Sequence, residues 1–223
     1  MNLVDSWQTL TPHYAPLLPS AQSLVWARHL LWSLALAALG LLWASRLDRA
    51  PALRRWLPWG LALWAWVPGP WGVSYWLALS FQIPSLTSGF LAAAVLLQGM
   101  TSPPKPLTAP GAKPATWTAL WSLAAVGVGM ALMLDTFAVF AVAMYRWGFT
   151  PTALALVWAF ALLPFVVSGT SALRQAGVGS LCAALLVFTL TRWPSGNVWD
   201  AVLDPWLWLL ALGSVLRRLW RHR

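Results

Sequence analysis

Apolar residues run through the chain in long blocks, and short knots of Arg, Lys and Pro separate one block from the next. Most blocks approach the ~20 residues that an α-helix needs to cross the hydrocarbon of a bilayer. The two-residue alternation of a membrane β-barrel is missing. The pattern therefore predicts an all-α, polytopic integral membrane helix bundle with about seven transmembrane helices, at 24–45, 57–81, 86–100, 117–145, 152–167, 175–191 and 205–216. Residues 1–223 form one membrane domain on this reading.

Breaks within the blocks qualify the picture. Pro68-Gly69-Pro70-Trp71-Gly72 interrupts the second block, and interior prolines break the helical hydrogen-bond ladder. If 57–67 were a re-entrant half-helix, the count would drop to six and the N-terminus would move inside. The third block is short and the fourth long, so the fourth has to tilt or project from the bilayer. Pro164 is placed to kink the fifth helix, and Pro205 to serve as the first helical residue of the last. Small residues four apart, Ala125 with Gly129, Gly127 with Ala131 and Gly179 with Ala183, predict close helix crossings.

Composition removes the soluble alternative. About 60% of residues are apolar and 9% charged, and glutamate is absent. A water-soluble domain carries about 25% charged residues. The net charge of +9 maps onto topology rather than nucleic acid, because the arginines lie between blocks instead of gathering on one basic face. Eleven of the 14 basic residues fall on one side of a seven-span path and three, Arg28, Arg146 and Arg192, on the other. The positive-inside rule then puts the N-terminus outside, the C-terminus in the cytoplasm and the chain in the inner membrane. Residues 1–23 lack a basic leader region and carry Asp5 with prolines at 12, 16 and 19, which predicts an outer tail rather than a cleaved signal. Residues 101–116, with Lys105 and Lys113 among five prolines, predict an extended cytoplasmic linker. Many of the 19 tryptophans fall near block ends, where aromatic belts sit.

Candidate chemistry is sparse. Asp135 is the one acid inside an apolar block. Measured from Trp117 at ~1.5 Å per residue it lies about 27 Å along its helix, at the outer headgroups. Centred differently, it is buried and needs a partner such as Tyr145, Arg146 or Arg28. Pro68, Gly69 and Pro70 form the second candidate, because freed backbone groups at membrane depth line substrate pathways in transporters. Arg54 and Arg55, with Arg217, Arg218 and Arg221, are placed to meet anionic lipid headgroups. The lone Cys182 offers no disulfide or thiolate metal site, and with His29 the only histidine in a span, paired haem ligands are missing. The run Gly169-Thr170-Ser171-Ala172 has no later intramembrane histidine to act as its base, and no span holds a lysine for a retinal linkage. No catalytic residue, metal or cofactor is expected. The expected function is a non-catalytic accessory or scaffold subunit that packs against other membrane subunits and binds membrane lipids but not nucleic acid. A small-solute transporter using the broken second helix is the alternative, and a lipid-modifying enzyme the third.

Overall fold

A computed structural model describes residues 18–45, 51–101, 116–140, 143–168 and 176–221. Residues 1–17 of the tail, 102–115 of the linker, Arg46, Arg49, Lys105, Lys113, Arg174 and the 169–172 run lie outside the described residues. So do the side chains of Arg54 and Arg221.

The described chain is all helical. Its elements are α1 (Ala21–Ala44), α2 (Pro51–Trp64), a 3-10 turn (Gly69–Trp71), α3 (Val73–Phe81), α4 (Leu86–Thr101), α5 (Thr116–Thr136), α6 (Met144–Trp147), α7 (Pro151–Ser168), α8 (Ala176–Thr191), α9 (Val198–Val202) and α10 (Pro205–Arg221). Among the described residues two helices are long and apolar enough to cross a membrane, α1 and the Ala119–Thr136 stretch of α5. Shorter apolar stretches lie in α4, α7 and α8.

Two predicted helices are shorter than the apolar blocks that contain them. The 57–81 block forms no single helix: α2 stops at Trp64, and α3 restarts at Val73 after the Pro-Gly turn. Val67, Pro68 and Gly72 explain the stop. Pro68 is extended (φ −75°, ψ 153°), and a Cβ at Gly72 would collide with the Val67 carbonyl, so only glycine lets the chain double back so tightly. The 117–145 block likewise ends as helix at Thr136, with a turn through Ala138 (φ 53°) before the single turn α6. Pro164 lies within α7, buried, and Pro205 does open α10.

Helix directions follow from the contacts. His29 and Ser33 of α1 bond to the carbonyls of Ala65 and Ala62, so α2 runs antiparallel to α1. Gly89 and Gly99 of α4 abut Leu31 and Leu41, so α4 runs parallel to α1. Trp158 of α7 reaches Thr189 of α8 (3.3 Å) and Cys182 of α8 lies 4.0 Å from the Ala161 carbonyl, which sets that pair antiparallel. The result is a row in the order α2, α1, α4, α8, α7, with α5 and α10 paired beside it. Helices α1, α4, α7 and α10 start at one end of the molecule, and α2, α5 and α8 finish there.

Local chemistry explains why those four helices start where they do. Hydroxyls of Ser20, Ser85 and Thr150 and the carboxylate of Asp204 accept the orphan amides of Ser23, Ser88, Ala153 and Leu207. Such caps each stabilise a helix by about 1 kcal/mol. This is the capped end. The opposite, basic end carries Arg55 near the start of α2 and Arg217 and Arg218 in the last turns of α10. The core lies between α4, α7, α8 and α9, where Leu86, Ala153, Ala161, Ala184, Leu185, Phe188 and Val198 are buried together.

Candidate functional site

The polar side chains with tertiary partners concentrate at the capped end, because connections between helices free backbone groups that apolar side chains cannot satisfy. Asp204 is 7% exposed and links two helix starts: one oxygen accepts the Leu207 amide and the other the Ser85 amide, both at 2.8 Å. Thr87 donates to the Ala201 carbonyl beside it. Asn197, fully buried, caps α9 through the Trp199 amide and donates to the Tyr145 carbonyl at 2.8 Å. The Trp199 indole donates to Met144, and the Val198 amide to Gly148. Glycine at 148 is required there, because a Cβ would overlap Asn197 and the Trp199 ring.

Tyr145 joins the other two acids among the described residues. Its hydroxyl donates to Asp200 at 2.7 Å, and Ser195 donates to the same carboxylate oxygen. Its amide donates to Asp135 at 2.8 Å. Partial burial, and then the Asp200 carboxylate beside it, push the phenol well above its ordinary value. Its hydroxyl therefore keeps the proton that it donates to Asp200.

A second polar group sits where α2 ends. The His29 Nδ1–H donates to the Ala65 carbonyl at 2.6 Å, and Ser74 donates to the same oxygen at 2.7 Å. The ring stacks on Trp66, with centroids 5.4 Å apart. Nε2 then faces Arg28, 3.4 Å away. These contacts satisfy the carbonyl that the break in α2 leaves without a helical partner.

The residues singled out in the sequence fall in separate places. Pro68, Gly69 and Pro70 are exposed in the turn after α2, where the Pro70 carbonyl accepts the Trp76 indole and Gly69 holds φ +66°. Asp135 lies at the end of α5, partly buried, and accepts the backbone amide of Tyr145, with no ion pair to Arg146 or Arg28 among the described residues. No hydrogen bond among the described residues joins the two. Arg55 and Arg217 are exposed at the basic end, Arg55 over the Trp56 ring and Arg217 bonded to the Gly213 carbonyl, with Arg218 beside it. Among the described residues no group of three His, Cys or Asp side chains is arranged to hold a metal ion.

Sequence reasoning missed Ser85, Asn197 and Ser74. Ser85 and the Asp204-Pro205 pair carry a helix-start signature, but nothing local shows that one of them would hold the other. Compared with known protein families, with curated proteins and with solved structures, the chain matches none.

Proposed function

We propose that the chain is an integral protein of the inner membrane that crosses it seven times, with the capped end outside and the basic end in the cytoplasm. In that setting it serves as a non-catalytic subunit that packs against partner membrane helices. One observation carries the reading: apolar side chains point away from the protein on helix after helix. Leu63, Leu79, Val166, Leu190 and Leu210 on five different helices are 66% to 83% exposed. Water penalises such a surface by about 25 cal/mol for each Å² of apolar area, whereas lipid tails or neighbouring helices do not.

Charge placement supports the same orientation. Arg55, Arg217 and Arg218 lie at the basic end, and by sequence Arg46, Arg49, Lys105, Lys113 and Arg174 belong to the segments that connect helices there. Helices of 16 to 18 residues, such as α4, α7 and α8, reach ~24–27 Å, close to the ~30 Å hydrocarbon thickness. The hydrogen bonds at the capped end favour a structural role, since its acids accept donors from the chain itself. The transport reading has less support, because the turn after α2 and Asp135 belong to different helix groups.

Purification of the full chain from its native membrane in a mild detergent tests the subunit role. A stoichiometric membrane partner is the expected result. A monodisperse particle containing this chain alone would overturn it.

A further inference from the structure

Arg28 is held where a cation needs a partner that the described residues do not supply. Its Nε is buried and makes no hydrogen bond, and its terminal nitrogen reaches the neighbouring His29 ring at 3.4 Å. No carboxylate among the described residues pairs with it. A guanidinium offers five donors, and among the described residues only the His29 ring meets one of them.

The surroundings of Arg28 are shaped and apolar. A groove of about 330 Å³ opens between α1 and α3, lined by Leu24, Val25, Arg28, Ala78, Gln82 and Ile83. That volume is within the ~300–1,000 Å³ of small-ligand sites. Its rim is held under tension: Gln82 adopts φ 62°, ψ −153°, a conformation largely confined to glycine, and its carbonyl accepts the Trp32 indole at 3.1 Å. Such a backbone persists only where neighbours impose it.

We propose that this groove binds one phospholipid of the outer leaflet, with the phosphate on Arg28 and the apolar part of the lipid against Ala78 and Ile83. This rests on the membrane reading given above. Arg28 lies ~10 Å below the start of α1, within side-chain reach of the headgroup layer. A guanidinium matches phosphate oxygens in a two-pronged hydrogen bond, which supplies an anion that the described residues do not. A soluble phosphate would satisfy the charge but leave the apolar walls bare, whereas a lipid covers both. Arg146 and Arg192, the other described arginines at this end, do not line this groove, and Arg192 rests on the Phe188 ring.

Native mass spectrometry of the full chain, purified in mild detergent and loaded with phosphatidylglycerol, tests the site. One retained lipid is expected on the unaltered protein. Arg28→Gln should lower the retained fraction at least tenfold, Arg28→Lys less, and Arg146→Gln should leave it unchanged. Ala78→Trp fills the groove while keeping the cation, and should also abolish retention; it decides the matter if Arg28→Gln fails to fold. Equal retention in the folded Arg28→Gln or Ala78→Trp protein, an equal loss in Arg146→Gln, or displacement by millimolar glycerol 3-phosphate would overturn the proposal. A protein that fractionates with membranes yet gives any of those results sinks the lipid site alone and leaves the membrane reading standing.

Discussion

Asp204 shows how a carboxylate survives burial in so apolar a chain. Its two oxygens each accept a backbone amide at 2.8 Å, one from its own helix and one from Ser85, 119 residues away in sequence. Hydrogen bonds to a charged group are worth about 1.5–3 kcal/mol each, and their loss leaves two amides unpaired. Asp204→Ala should therefore destabilise the protein by about 2–4 kcal/mol in a reversible denaturant titration in micelles. An Asp204→Ala protein as stable as the parent would show that the link carries no load. Half of this arrangement was legible in the sequence, because Asp-Pro before an apolar run reads as a cap followed by a first helical residue. The Ser85 half was not, since a backbone amide has no sequence signature. Asp135 behaves likewise: its position among apolar residues is visible, but its bond to the Tyr145 amide depends on α5 ending at Thr136, which no local residue dictates.

Glycine and tryptophan decide how closely the helices approach. Gly129 of α5 faces the Trp208 ring of α10, whose indole donates to the Val126 carbonyl at 3.3 Å. A side chain at 129 has no room there, whereas Gly127, two residues earlier, faces open space. Gly129→Leu should thus weaken the α5–α10 pair by about 1–3 kcal/mol, the usual penalty for overpacking. Gly127→Leu should be close to neutral. The same denaturant titration compares them, and equal effects would remove the reason for assigning the crossing to Gly129. Spacing by four marked both glycines in the sequence, and only the helix rotation separates them. A close crossing that spacing did not mark joins Gly40 to Pro58, where a Cβ would stand 2.9 Å from Leu61 and 3.2 Å from the proline backbone. Hydropathy also ran α2 and α3 together, because Trp66, Val67 and Trp71 are as apolar as the helices they separate. Their backbone needs, met by Gly69 and Gly72, broke the helix instead.

Across the described residues, the all-helical architecture was legible because long apolar blocks without two-residue alternation read as helix. The side-by-side order of the helices was not, since outward-facing leucines and inward-facing ones are chemically alike. The proposed topology makes a direct prediction. In a Cys182→Ala background, single cysteines at Phe140 or Arg192 should react with an impermeant maleimide on cells whose outer barrier is open, while those at Arg55 or Arg217 should react only after the inner membrane is breached. Labelling of both sets from outside would reject the orientation. The pairing of α5 with α10 has a further bearing on how the protein is made. The fifth helix emerges from the ribosome some 70 residues before the last one, and until then its Gly129 face has no native cover. On the membrane reading proposed above, that crossing closes only once α10 has been made, so the order of synthesis leaves this pair among the last to form.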